Sequence, residues 1–254
     1  EYKTGKNRAY YFAHGDEPVS DETAAEYLEL IGRRAGHIPV QQLTHQAFFM
    51  GYEFYVNENV LIPRQDTETL VEEALKHLGN VEKPEILDMC TGSGCIAVSL
   101  KALGGYARVA AADISSEALE VAEKNAGTYP VEFRQSDMFA AFEPGRDMFD
   151  VIVSNPPYIP SEVIRGLEPE VRDHEPLGAL DGKEDGLYFY RILAEQCGDF
   201  LNQGGSVYFE TGHDQGAAVK TLLESHGFQD TKVIKDLAGM DRVVRGTWPG
   251  QIRK

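Results

Sequence analysis

Apolar positions change texture along the chain. Up to about residue 84 they mostly follow a helical period; beyond it, short apolar runs alternate with helical stretches. The first clear helix is read over residues 20–36. Ser20 suits its amino-terminal cap, Ala24, Tyr27, Leu28 and Ile31 fall at i, i+3, i+4 and i+7, and Gly36 suits its stop. Gln46 to Ile62, aromatic and β-branched around Gly51 and the Asn57-Glu58-Asn59 turn, reads as a β-hairpin. Pro63 ends it. Asp66 or Thr67 is then placed to cap a second helix carrying Leu70, Val71, Ala74, Leu75 and Leu78, stopped by Gly79.

In the second texture, Glu85–Met89, Arg108–Asp113, Val131–Gln135, Phe149–Ser154 and Ser206–Thr211 read as strands. Ile96–Leu103, Glu117–Ala126, Leu187–Leu201 and Gly216–Ser225 read as the helices between them. Such alternation with apolar strands predicts a parallel sheet covered on both faces. Thr231–Leu237 and Arg242–Trp248 are separated by only Ala238-Gly239-Met240-Asp241, too short for a crossover helix, so they pair antiparallel at the sheet's edge. The fold class is α/β, a doubly wound, mostly parallel seven-stranded sheet over residues 65–254. A small amino-terminal helical piece (1–45) and a hairpin linker (46–64) precede it. The chain opens on Glu1-Tyr2-Lys3 without an initiator Met, so the helical piece reads as one whose beginning is missing.

Composition narrows the function classes. The 254 residues carry 24 Lys+Arg against 41 Asp+Glu, a formal net charge of −17, which counts against a protein gripping nucleic acid by its phosphates. No apolar run approaches the roughly 20 residues needed to span a bilayer, and no signal segment opens the chain. Cys90, Cys95 and Cys197 have no C-x-x-C spacing, and none of the seven histidines stands in a metal-binding pair. These readings predict a cytoplasmic protein without metal; a monomer is the accompanying expectation.

Two segments carry candidate chemistry. Glu85 to Gly94 is a strand running into Cys90-Thr91-Gly92-Ser93-Gly94 and then a helix, and the open ends of strands in such sheets are where ligands bind. Asp113 ends the following strand, where a carboxylate can accept from two ribose hydroxyls. The third glycine of a dinucleotide fingerprint is absent, and Cys90 must take φ < 0 or bear strain. The bland alternative is a glycine turn serving strand–helix packing alone. The other segment is Asn155-Pro156-Pro157-Tyr158, at the end of Phe149–Ser154. Its prolines remove two N–H donors and leave the carbonyls of Asn155 and Pro156 free to accept, with the Asn155 amide and the Tyr158 ring beside them. Two acceptors there hold an NH₂ group with its lone pair aimed at an electrophile; the bland alternative is a proline-rich turn.

The D-x-x-x-G-x-G spacing from Asp88 resembles the first motif of class I S-adenosylmethionine (SAM)-dependent methyltransferases, with Cys90 replacing its first glycine. N-P-P-Y resembles the signature of methyltransferases acting on planar or amide nitrogens. Phe54 to Arg64 with Thr67-Glu68, Asp88 to Ala97, Glu175-Pro176, Ala179-Leu180-Asp181-Gly182 and Asp185-Gly186-Leu187 are together similar to the release-factor glutamine N5-methyltransferase family of HemK/PrmC type, over nearly the whole chain. Departures are Gln65-Asp66, where that family commonly has Pro-Glu, and Met138, where it often has Trp.

The resemblance implies a Rossmann-like catalytic domain that binds SAM and releases S-adenosylhomocysteine. It implies cofactor contacts from Cys90, Thr91, Gly92, Ser93, Gly94, Asp113, Asp137, Met138 and Asn155, with Asp137 accepting from the adenine amino group and Met138 covering its face. Asn155, Pro156, Pro157 and Tyr158 would hold the substrate, a glutamine side chain of a class I peptide chain release factor docked through the amino-terminal helices. Asn155, Pro156 and Tyr158 would be the catalytic set, Tyr158 packing on the glutamine methylenes. Ile159–Gly186, rich in acidic residues, would be a substrate-facing loop, mobile without its partner. Two other functions fit parts of this pattern: an exocyclic-amino methyltransferase acting on DNA or RNA, disfavoured by the charge, and a catalytically silent SAM-binding interaction protein, disfavoured by the intact Asn155–Tyr158 loop.

Overall fold

In the computed structural model, which describes residues 1–79, 82–106 and 108–250, three helices open the chain: Arg8–Ala13 (α1), Asp21–Ala35 (α2) and Val40–Thr44 (α3). α2 has the ends read from sequence, with Ser20 Oγ accepting from the Thr23 amide and Gly36 following. Its apolar stripe forms but stays in solvent: Tyr27, Leu28 and Ile31 are 55, 66 and 46% exposed, because no described element covers that face. Polar contacts hold these helices instead. Arg34 pairs with Glu170, His174 Nε2 lies 3.0 Å from the Gly36 carbonyl, and Gln42 Nε2 donates to the His174 carbonyl at 2.7 Å.

Ala47–Phe49 (β1) and Tyr52–Phe54 (β2) pair antiparallel. They turn at Met50-Gly51, both at positive φ (50° and 80°), as a tight two-residue hairpin requires. The hairpin is shorter than the expected Gln46–Ile62. Both backbone groups of Tyr55 are taken by the Asn125 side chain (2.7 and 2.9 Å), so the ladder stops. Asn57–Asn59 fall in an irregular linker whose Val56, Val60 and Ile62 are buried. A single 3₁₀ turn, Gln65–Thr67, leads into Glu68–Leu78 (α4). Neither Asp66 nor Thr67 caps α4 through its side chain, contrary to expectation: Thr67 already has helical angles (φ −65°, ψ −22°), and Asp66 pairs with Arg242.

The remaining elements follow in order: Glu85–Met89 (β3), Cys95–Gly104 (α5), Arg108–Asp113 (β4), Ser116–Ala126 (α6), Glu132–Gln135 (β5), Phe149–Ser154 (β6), Ser161–Ile164 (α7), Pro169–Arg172 (α8), Leu177–Leu180 (α9), Tyr188–Phe200 (α10), Leu201–Glu210 (β7), Gly216–Ser225 (α11), Gln229–Lys235 (β8) and Asp241–Thr247 (β9). They build a seven-stranded sheet in the order β5-β4-β3-β6-β7-β9-β8. It is parallel from β5 to β7, with β9 antiparallel to both β7 and β8. Alternate residues of the central strands enter two cores. Leu87, Ile152 and Val207 pack with Tyr190 and Leu193 of α10; Ile86, Val109 and Val151 pack with Leu70 and Ala74 of α4 and with Ile96 and Leu100 of α5. Strand order reverses between β3 and its neighbours β4 and β6, which opens a crevice at their carboxyl ends.

Ile159–Gly186 is not an open loop. It folds into α7, α8 and α9, pinned by a parallel bridge between Ile159 and Asp181 and by the buried carboxylate of Glu175, which pairs with Arg64. Polar contacts to the linker and to the amino-terminal helices give this segment partners that its composition does not reveal.

Candidate active site

The glycine turn after β3 is held from below by Asp88. Its Oδ2 accepts from Thr91 Oγ1 at 2.6 Å and from the Ala97 amide at 3.1 Å, which ties the turn to the first turn of α5. Complete burial pushes the Asp88 pKa up to about 7, over the opposing pull of these two donors. Cys90 takes φ +63°, so of the two options left by the missing glycine, the chain bears the strain. For a residue with a Cβ this costs about 1–2 kcal/mol. The neighbouring backbone holds it there: the Thr91 amide donates to the Ala112 carbonyl at 2.9 Å and Ser154 Oγ to the Met89 carbonyl at 2.6 Å.

The two glycines have different surroundings. A Cβ on Gly92 (φ +54°) would meet nothing within 4 Å, so its backbone faces open space. A Cβ on Gly94 (φ +78°) would stand 3.0 Å from Ala122 Cβ, and Gly94 is absent from the cavity lining. Close packing of α5 on α6 is therefore sufficient reason for a glycine at 94. Asp113, at the end of β4, accepts from the Gly92 amide (2.8 Å) and the Ser115 amide (3.0 Å), one per carboxylate oxygen, leaving each oxygen a further lone pair. Burial raises its pKa and these amides oppose the rise.

Beyond Asp113 the cavity is walled by Ser136, the exposed Asp137 and the buried Met138 (φ +48°), and then by Asn155 and Pro157. The linker lines the cavity through Val60, Leu61, Pro63 and Arg64, and Pro176, Gly178, Ala179 and Phe189 line it from later in the chain. The two segments are joined where Arg64 donates to both oxygens of Glu175, at 2.8 and 2.7 Å. Cys90, Thr91, Gly92, Ser93, Asp113, Asp137, Met138, Asn155 and Pro157 thus share one cavity.

Pro156 is buried and Tyr158 half-buried, and neither lines this cavity. The Tyr158 hydroxyl turns towards Glu210 Oε1 at 3.4 Å, and its carbonyl accepts from Gln215 Nε2 at 2.9 Å. Burial and the Glu210 charge push the Tyr158 pKa up. A Cβ on Gly186 would collide with the Tyr158 carbonyl oxygen, and one on Gly182 would come within 2.7 Å of the Tyr158 backbone, so the two Asp-Gly steps of 181–186 are spaces left for the N-P-P-Y loop. Asn155 Nδ2 lies 3.5 Å from Thr67 Oγ1. Thr67, Phe189 and Glu210 are residues that sequence reasoning did not select; a carboxylate ending an apolar strand was the one available signal, at Glu210.

The chemistry of this donor set fits SAM: backbone open to close approach at Gly92, carboxylate lone pairs at Asp113, apolar cover at Met138, and carboxylates compatible with a sulfonium. No group of His, Cys, Asp and Glu among the described residues is arranged to hold a metal ion.

Comparison with known proteins agrees along the whole chain. The Methyltransferase small domain family matches residues 65–165 and the PrmC N-terminal domain family matches residues 1–44. The release factor glutamine methyltransferase of Burkholderia pseudomallei is 41% identical over 254 residues, covering 97% of this chain and 88% of that protein. The one from Geobacter sulfurreducens is 40% identical over 243 residues, covering 95% and 84%. The crystal structure of a methyltransferase from Pyrococcus furiosus, 19% identical, shares the fold with a TM-score of 0.58 over 87% of this chain and 99% of that one. At such identity over nearly its full length, the chain belongs to the release factor glutamine methyltransferase family, SAM-dependent enzymes that methylate a protein glutamine.

Proposed function

We propose that this chain binds SAM in the cavity at the carboxyl ends of β3, β4, β5 and β6 and methylates the side-chain amide nitrogen of a glutamine in a class I peptide chain release factor. S-adenosylhomocysteine is the second product. One observation carries the reading: Asn155 stands in the same cavity as the glycine turn and Asp113, its amide beside Thr67. When bound, SAM supplies an electrophilic methyl group on a sulfonium. The protein's part is positioning. Asp113 accepts from the ribose hydroxyls, Asp137 from the adenine amino group, and Met138 covers the adenine.

An amide nitrogen is a weak nucleophile because its lone pair is delocalised. Asn155 Oδ1 accepts from the glutamine NH₂, which orients the lone pair and stabilises positive charge growing on nitrogen. The displaced proton leaves after transfer, so no strong base is needed. Pro157 and Phe189 add apolar lining to the cavity. Tyr158, turned towards Glu210, supports the loop from behind. The free thiols of Cys90, Cys95 and Cys197 favour the reducing cytoplasm, and no helix among the described residues is long and apolar enough to cross a membrane.

The test is methyl transfer from radiolabelled SAM, with a purified release factor, its Gln-to-Ala variant and nucleic acid as parallel acceptors. Label should enter only the intact release factor. Asn155→Ala should leave SAM affinity nearly normal and lower kcat on the order of a hundredfold, the usual cost of losing one preorganised electrostatic contact. Label on nucleic acid, or on the Gln-to-Ala variant, would defeat the reading.

A further inference from the structure

We infer that Gln215 is a positioning residue: its side-chain amide clasps the N-P-P-Y loop to the corner between β7 and α11 and so fixes where Asn155 stands in the cavity. The inference deepens the function proposed above and rests on Asn155 accepting from the glutamine NH₂. Pro156 and Pro157 have no N–H, so the loop cannot tie itself down through those amides. It must be held by its carbonyls and by side chains. The same two rings fix φ at both positions, which makes Asn155 to Tyr158 a stiff arm. Where the Tyr158 end is pinned, the Asn155 end follows.

Gln215 makes the pin. Its Nε2 donates to the Tyr158 carbonyl at 2.9 Å and, more weakly, to the Gly186 carbonyl at 3.4 Å; its Oε1 accepts from the Gly212 amide at 3.1 Å. One side-chain amide thus joins three segments: the loop after β6, the turn before α10 and the exit of β7. A carbonyl only accepts and a backbone N–H only donates, so these partners allow the amide a single orientation. Its own backbone is fixed as well, since the Gln215 N–H donates to the Gly212 carbonyl at 3.0 Å and its carbonyl accepts from the Val219 amide of α11 at 3.0 Å. The side chain is buried in space left by glycines: a Cβ on Gly186 would stand 2.5 Å from Nε2, and one on Gly212 3.0 Å from Oε1. From the same corner Glu210 Oε1 meets the Tyr158 hydroxyl at 3.4 Å, so Tyr158 is held at both ends. Gln215 is absent from the cavity lining; it acts through the loop and not on substrate or SAM.

Because the clasp needs a donor and an acceptor at once, Gln215→Glu gives it a pH dependence that the wild type lacks. An ionised carboxylate keeps the Gly212 contact, loses both donors and sets its charge against the Tyr158 and Gly186 carbonyl oxygens. A protonated carboxyl has one O–H, which restores the contact to Tyr158. Burial and those oxygens favour the neutral form and raise the pKa of the new group. Acidic groups around the corner act in the same direction: Glu210 on β7, Asp214 beside Gly212 and Asp241 beside Gly216. Asp185 is paired with Arg191, and Arg242, whose Nη1 donates to the Thr211 carbonyl at 3.4 Å, is a cation that opposes them.

The experiment uses the full chain, SAM and a purified release factor, and compares Gln215→Met and Gln215→Glu with the wild type, with circular dichroism confirming the folded state at each pH. Misplacing a reacting group by about 1 Å can cost on the order of a hundredfold in rate. Gln215→Met, similar in length and without a donor, should therefore lose roughly ten- to a hundredfold in kcat while SAM affinity by calorimetry stays close to wild type. Gln215→Glu should be as slow at about pH 8 and should recover, relative to wild type at the same pH, on acidification towards about pH 6. If Gln215→Met does not fold, the pH response of folded Gln215→Glu decides alone. Wild-type turnover in Gln215→Met, a Gln215→Glu rate ratio that is flat or falls on acidification, or SAM affinity falling in step with rate would each overturn the clasp. A wild-type protein that labels no release factor would instead remove the function proposed above, and this inference with it.

Discussion

Arg64 and Glu175 offer a test of how the cavity is held closed. Removing Arg64 should cost more stability than removing the carboxylate it pairs with. The Glu175 side chain is 1% exposed against 40% for Arg64, and its other contact is the Ile62 amide at 3.3 Å. Breaking a buried pair by deleting one partner typically costs about 3–5 kcal/mol, because the remaining charge is stranded. Arg64 is two-fifths exposed, so water replaces part of what it gives, and Arg64→Ala should cost about 2–3 kcal/mol. Glu175→Ala strands only the Ile62 amide and lets Arg64 hydrate, for about 1–2 kcal/mol. The double variant should reveal a coupling of about 1–2 kcal/mol.

The pH dependence has a definite sign. Burial raises the Glu175 pKa and Arg64 opposes the rise, so without Arg64 it climbs further above its unfolded value. A raised folded-state pKa gives stability that is present below the unfolded pKa and lost as pH rises through the folded one. The deficit of Arg64→Ala should therefore narrow on going from pH 8 towards pH 5. Urea unfolding of the wild type, both single variants and the double variant at the two pH values measures all of this. Calorimetry should show weaker SAM binding in Arg64→Ala, since Arg64 lines the cavity and, through Glu175, holds the segment that carries Pro176. A Glu175→Ala variant as unstable as Arg64→Ala, or zero coupling between them, would refute the reasoning.

Gly94→Ala, pressed against Ala122 and held at positive φ, should destabilise the fold by about 1–3 kcal/mol, whereas Gly92→Ala should cost about 1 kcal/mol of fold and chiefly weaken SAM binding; identical profiles in unfolding and calorimetry would contradict the two roles. Asp113→Ala should weaken SAM binding by about 1–3 kcal/mol, and unchanged calorimetric affinity would remove it from the ribose site. At Cys90, Gly should be more stable than Ala by about 1 kcal/mol, the reverse of the ordinary order, because φ is +63°; an Ala variant as stable as the Gly variant would mean that no strain is stored there.

Much of the catalytic domain was legible in the sequence because its signals are local. Short apolar runs and helical apolar patterns located β3, β4, β6 and α11 to the residue, and a linker too short for a helix placed the last two strands antiparallel at the edge. The glycine turn, Asp113 and the Asn155–Tyr158 loop declared themselves as strand-end residues, and a parallel sheet brings such ends together. Periodicity says which face of an element is apolar, not what covers it; so the α2 stripe could be read, and its exposure could not. The hairpin was overextended because its ladder is stopped by Asn125, a residue far along the chain. The segment after the catalytic loop looked open because Glu175 finds Arg64 only across 111 residues of sequence. Thr67 and Glu210 reach Asn155 and Tyr158 in the same way, from separate elements. The sequence alone determined which backbone ends meet at the cavity, since that follows from local pattern and sheet topology. Which side chains stand behind them was decided only by the tertiary structure, because burial, partner and proton affinity are properties of the packed surroundings and not of the residue's neighbours in the chain.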